Sequence, residues 1–162
     1  MLPAYVANMT PVLVKKISWL NIPIDTGKIF YGRPVFGKNK TWRGLVFGVF
    51  AGVVTGFLQS LFGVSIVPDF AQFWFFISIL LSSGALFGDL VKSFFKRRMS
   101  ISPGSSWLMF DQLDYVIGAL LFVSPLYWPG IGNSAMLLVL SGAGHVLVNH
   151  IGFWFGIKKT KW

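Results

Sequence analysis

Residues 45–62 carry no charged side chain, and neither do residues 71–87, 116–128 or, apart from His145 and His150, residues 131–157. Each block is near the ~20 residues that a helix needs to cross the hydrocarbon core of a bilayer. Only 12% of the 162 residues are charged while 54% are hydrophobic, whereas about a quarter of a soluble domain is charged. The Lys, Arg and Asp that remain gather in and beside the stretches between the blocks. A chain patterned in this way is expected to be an integral membrane protein.

Four spans are expected, over residues 45–62, 71–88, 108–125 and 134–156. A fifth, over 2–17, is interrupted by Pro3, Asn8 and Pro11, and its plainer reading is a helix lying in the interface. The joints at 63–70 and 126–133 are turns rich in Pro and Gly. Residues 1–162 are read as a single membrane domain without internal repeats, an all-α bundle of about five transmembrane helices. Lys15, Lys16, Lys28, Arg33, Lys38, Lys40 and Arg43 precede the second span. Lys92, Lys96, Arg97 and Arg98 lie between the third and fourth, and Lys158, Lys159 and Lys161 follow the last. Cytoplasmic loops retain Lys and Arg. The N-terminus is therefore expected outside and the C-terminus in the cytoplasm, with two functional cytoplasmic loops, 18–43 and 89–107, at the inner face of the cell membrane. Much of the net charge of +9 follows from this placement, so no nucleic-acid partner is expected. The absence of cysteine excludes disulfides and thiolate metal sites. No basic stretch precedes the first apolar run, which speaks against a cleaved signal peptide.

The chain has five acidic residues and no glutamate, yet Asp89, Asp111 and Asp114 all map to the cytoplasmic edge of the third and fourth spans. Asp111 and Asp114 stand i, i+3 and project from one helix face. The plainer account is capping by Asp111 with ion pairs to Arg97 or Arg98, and a local pair between Asp89 and Lys92. The sharper account is a metal site, in which hard carboxylate oxygens hold Mg2+ while water and substrate phosphates complete its shell. Carboxylates ringed by Lys and Arg suit phosphoryl-type transfer, where positioning and charge neutralisation carry the reaction.

The stretch "YGRPVFGKNKTWRG" nearly matches a phosphate-binding P-loop. Asn39 follows Lys38 where Ser or Thr is required, however, and no apolar strand precedes it. What survives is an anion site of Lys38, Lys40, Thr41 and Arg43 ahead of a helix N-terminus; the plainer reading is a basic border to the membrane. Asn8, His145 and Asn149 fall within spans. They are read as interhelical hydrogen-bonding groups or, alternatively, as the lining of a lipid-headgroup cavity.

Four stretches resemble the archaeal CDP-archaeol synthases: "LPAYVAN" near the start, "PID" at 23–25, "GKNKTWRG" at 37–44, and "GDLVKSFFKRR…ISPGSSW…DQLD…GAL" over 88–120. The resemblance covers nearly the whole chain. It implies a cytidylyltransferase that joins CTP to 2,3-bis-O-geranylgeranyl-sn-glycerol 1-phosphate, an isoprenoid ether lipid phosphate, with Mg2+ and release of pyrophosphate. It implies Asp89, Asp111, Asp114 and Lys96 as catalytic residues, with the three aspartates as metal ligands. Lys38, Lys40, Thr41, Arg43, Lys92, Ser93 and Arg97 become contacts to CTP and its phosphates. The larger CDP-diacylglycerol synthases are similar in turn. Ser93 to Arg97 matches the start of their signature and Asp111 to Asp114 its end, apart from Gln112. Their Lys-Asp pair is absent, and Ser105-Ser106 stands where His-Gly-Gly would.

A CDP-diacylglycerol synthase acting on ester phosphatidate is the nearer rival. A membrane CDP-alcohol phosphotransferase pairs Asp-Gly with a downstream Ala-Arg and two further aspartates, an arrangement that residues 111–120 lack. A small channel or transporter subunit would place acidic and polar residues deep in its spans rather than gather acids at one edge.

Overall fold

Five α-helices make up most of the described chain: α1 (Leu2–Leu13), α2 (Trp42–Leu61), α3 (Phe70–Arg98), α4 (Phe110–Val123) and α5 (Ile131–Trp154). A 3-10 turn at Val14–Lys16 follows α1, and a short hairpin, β1 (Ile29–Phe30) and β2 (Arg33–Pro34), precedes α2. The structure, a computed structural model, describes residues 1–65, 70–101, 107 and 110–154. The far end of the 134–156 span, residue 108, Ser105, Ser106, Lys158, Lys159 and Lys161 lie outside the described residues.

Among the described residues, α2 and α3 are long and apolar enough to cross a membrane. Phe50, Phe57, Leu61, Phe76, Leu121 and Val139 face outward. An apolar exterior of this extent suits lipid rather than water. The helix α1 is shorter than the 2–17 stretch expected, and its last residues tighten into the 3-10 turn after Pro11.

The loop expected to begin at Asp89 begins only after Arg98. Nothing in "DLVKSFFKRR" breaks a helix, since it lacks Gly and Pro, and Lys96, Arg97 and Arg98 complement the negative end of the α3 dipole. Arg33 Nη1 donates to the carbonyls of Arg97 (3.0 Å) and Arg98 (2.8 Å), acceptors that a helix C-terminus leaves open. Arg98 in turn donates to the carbonyls of Phe30, Arg33 (3.2 Å) and Pro34 (2.6 Å). Its guanidinium lies over the Phe30 and Phe94 rings. The hairpin turns at Tyr31 (φ 48°) and Gly32 (φ 72°), the left-handed pair that a two-residue hairpin loop requires.

The core joins α1, α3 and α4 through Ala4, Ile77, Leu81, Ala85, Val116 and Ala119. Between α3 and α4 the backbones themselves touch. A Cβ on Gly88 would fall on the carbonyl of Asp114, and one on Gly118 on the carbonyl of Gly84. On α2 the buried glycines at 48, 52 and 56 recur every fourth residue and admit Ser78 and Ser82 of α3, the small-residue packing common between membrane helices.

Gly88→Ala must push the helices apart, so its thermal midpoint in detergent is expected to fall by several degrees, the effect of roughly 1–3 kcal/mol of overpacking. Gly132→Ala meets nothing within 4 Å and is expected to leave the midpoint unchanged. Equal midpoints for the two variants would mean that the α3–α4 contact is looser than described.

Candidate active site

Because α3 and α4 approach so closely, the face of α3 bearing Asp89, Lys92 and Lys96 meets Asp111 and Asp114 at the start of α4. Lys92 Nζ lies 3.1 Å from Asp89 Oδ1, 3.1 Å from Asp111 Oδ1 and 2.9 Å from Asp114 Oδ2. Lys96 Nζ donates to both oxygens of Asp111 at 3.2 Å, and the Trp107 N–H donates to Asp111 Oδ2 at 2.6 Å. Lys40 enters from the 18–43 loop and pairs with Asp89. Three ammonium groups thus face three carboxylates.

Asp114 is the least exposed of those carboxylates, at 6%. Both of its oxygens are buried, and among the described residues Lys92, with Nζ 2.9 Å from Oδ2, is the one cation paired with it. A buried carboxylate is costly unless positive charge accompanies it. Among the described residues no three His, Cys, Asp or Glu side chains form a ready-made metal cage. Lys92 holds the centre of the three aspartates instead.

The ion pairs expected between Asp111 and Arg97 or Arg98 give way to pairs with Lys92 and Lys96, because Arg98 is turned to the hairpin. Ser93 and Lys96 are buried on α3, and Arg97 runs past Gly37. Of the expected anion site, only Lys40 joins the cluster. Lys38 is exposed at the loop surface. Thr41 caps α2, its Oγ1 accepting from the Gly44 N–H at 3.3 Å. Arg43 is buried and donates back to the Ile17 carbonyl. Asn8 is half-buried on α1; the side chains of His145 and Asn149 lie outside the described ones. Beside Lys40 and Asp89 lies a small open recess, lined also by Pro11, Asn39, Leu45 and Leu86.

Asp25, quoted above only within the "PID" stretch and given no role there, stands in the 18–43 loop outside the charged cluster. It is 6% exposed. Its carboxylate accepts from the N–H groups of Gly27 (3.1 Å), Phe36 (2.9 Å) and Gly37 (2.9 Å). Burial alone pushes this carboxyl up, but the three donors outweigh it and hold it below the usual carboxylate range. Its contribution to stability is complete above the ordinary range and is lost as pH falls through the lowered value.

Lys92→Met leaves three carboxylates without the cation they share and is expected to cost about 3 kcal/mol, read as a lower thermal midpoint in detergent. Adding Asp114→Asn should restore part of the loss, because the two groups are coupled. Strict additivity would show that Lys92 does not neutralise Asp114.

A helix bundle with an apolar exterior and opposed charges buried at one end has the makings of an intramembrane enzyme with a charged substrate. The family model described as CarS-like, CDP-archaeol synthase, matches residues 1–162. The CDP-archaeol synthase of Thermococcus onnurineus is 43% identical over 165 residues, covering 99% of this chain and 92% of the relative. That of Methanospirillum hungatei is 41% identical over 170 residues, covering 100% of both. That of Methanococcus aeolicus is 38% identical over 169 residues, covering 99% and 92%. A solved structure of an intramembrane enzyme for archaeal membrane lipids biosynthesis is similar at a TM-score of 0.79 and 32% identity, over 92% of this chain and 89% of that one. The chain belongs to the CDP-archaeol synthase family.

Proposed function

We propose that this chain transfers the cytidylyl group of CTP to 2,3-bis-O-geranylgeranyl-sn-glycerol 1-phosphate, giving the CDP-activated ether lipid and pyrophosphate. The observation that carries the site is the Lys92-centred cluster of Asp89, Asp111 and Asp114 with Lys40 and Lys96. An oxygen of the lipid phosphate attacks the α-phosphorus of CTP. The new P–O bond forms as the bond from that phosphorus to the bridging oxygen breaks, and pyrophosphate carries away the electron pair. The attacking phosphate is already ionised at neutral pH, so no general base is called for. CTP and a phosphomonoester together bring roughly six negative charges, and neutralising and aligning them is most of the work in such a transfer. Lys38, Lys40, Lys92, Lys96 and Arg97 supply the cations, while Thr41 and Arg43 hold the loop to α2.

The donor set fits Mg2+ that arrives on the nucleotide rather than in a resident cage. Mg2+ commonly takes one or two carboxylates, with phosphates and water filling its shell. Asp114, whose hard oxygens are buried with Lys92 as their one paired cation among the described residues, supports that fit, with Asp89 and Asp111 beside it. Bound there, Mg2+ supplies positive charge to the phosphate oxygens at the reacting end.

The proposed setting is the cell membrane, with about five crossings, the N-terminus outside and the C-terminus and site on the cytoplasmic side. The gathering of Lys and Arg beside alternate joints supports it.

Pyrophosphate release by the purified protein in detergent tests the proposal. Release should require CTP, the geranylgeranyl ether lipid phosphate and Mg2+, and Asp111→Asn should lower it about a hundredfold or more while the protein stays folded. No release from folded protein would sink the assignment; release with ester phosphatidate alone would move it to the CDP-diacylglycerol synthases.

A further inference from the structure

Asp25 differs from the aspartates of the cluster. Asp89, Asp111 and Asp114 are all paired with lysines, whereas among the described residues no ion pair reaches Asp25. In a chain with 14 Lys and Arg, a buried carboxylate satisfied by backbone N–H groups is holding backbone rather than balancing a cation. What it holds is specific. The 18–43 loop has a neck in which the Arg43 N–H donates to the Leu20 carbonyl (2.8 Å), Trp42 to Ile22 (3.0 Å) and Ile24 to Lys40 (2.8 Å). Residues 25–39 leave and return through that neck. Asp25 stands at its exit, and one oxygen takes both Phe36 and Gly37 as the chain comes back.

Gly37 opens the turn that carries Lys38 and Lys40. It sits at φ 92°, and its carbonyl accepts from the Lys40 N–H at 3.1 Å. The turn is therefore fixed at one end by Asp25 through Gly37 and at the other by Ile24 through Lys40. From this turn Lys40 reaches Asp89 in the cluster, and Gly37 lies beside Arg97. Asparagine could not replace the carboxylate here. It has one acceptor oxygen, and its NH2 would be set against a backbone N–H, donor facing donor.

We propose that Asp25 is the positioning residue of the nucleotide-binding arm: by holding the Phe36 and Gly37 N–H groups it sets where Lys38 and Lys40 stand over α3, and so sets the affinity for CTP. This rests on the proposed role of Lys38 and Lys40 as CTP contacts. The transfer step itself does not involve Asp25.

Equilibrium binding of radiolabelled CTP to the detergent-solubilised full chain, with Mg2+ present, is the test. Asp25→Asn is expected to weaken CTP binding about tenfold and to raise KM for CTP by a like factor. Its kcat should fall less than threefold, and its thermal midpoint should stay within a few degrees of the parent. Asp25→Glu keeps the charge but displaces it by one methylene; it should show a smaller loss and carries the test if the asparagine variant does not fold. In a Lys38→Met/Lys40→Met background either Asp25 substitution should add nothing further, an effect that a general loss of stability would not produce. If the double methionine protein binds CTP as tightly as the parent, the assignment of those lysines fails. If it binds weakly while the Asp25 variants bind normally, or if the losses multiply, Asp25 is a loop-folding residue and the inference is overturned.

Discussion

Where Gly84 and Gly88 of α3 meet Gly118 and the Asp114 carbonyl of α4, no side chain intervenes, and that contact determines which charge faces which. A Cβ at Gly88 or Gly118 would push the helices apart and carry Lys92 away from Asp111 and Asp114, the two aspartates on α4. The packing of small residues and the chemistry of the site are thus parts of a single constraint. The same helix, α3, also takes the hairpin at its end, through Arg33 and Arg98, and receives Lys40 on its flank. It is the post to which the 18–43 loop is tied.

The cluster is balanced before any substrate arrives. Three aspartates and three lysines leave little net charge among them, so a free protein can bury them at the end of a bundle without extreme instability. The balance is nonetheless uneven in detail. Asp114 is deep, while Lys40 and Lys38 sit on a loop that faces solvent more openly. In the proposed reaction an incoming polyanion with its counter-charge would therefore exchange partners on both sides without stripping any one group of company.

The amino-acid sequence revealed the helices well because lipid leaves so few ways to hide a backbone: a charge-free block of sufficient length has one plausible fate. Their ends were less legible. Residues 89–98 look like a loop because they are basic, yet a helix dipole welcomes basic residues in its last turn, and α3 carries on through them. Asp111 and Asp114 could be paired by spacing, but that Lys92 lies between them and Asp89 depends on how two helices pack, which no local pattern states. Arg43 and Thr41 look like phosphate ligands by type and place. Their side chains are spent on Ile17 and Gly44, a choice that is fixed by the path of a loop with no periodicity to read.

Asp89 lies about 29 Å along the helix axis from Phe70, the far end of α3, which is nearly the full depth of the ~30 Å hydrocarbon layer. The remaining turns, up to Arg98, overshoot it. For the proposed reacting centre, that level has a consequence for the cost of fetching the substrate. Drawing a lipid chain out of the bilayer costs about 0.8 kcal/mol for each CH2 exposed to water, so lifting a two-chained lipid even a few carbons would outweigh most of what its headgroup could gain on binding. In the proposed reaction, with the aspartates near the edge of that layer, the lipid phosphate would approach them by lateral diffusion while both tails stay dissolved in the membrane.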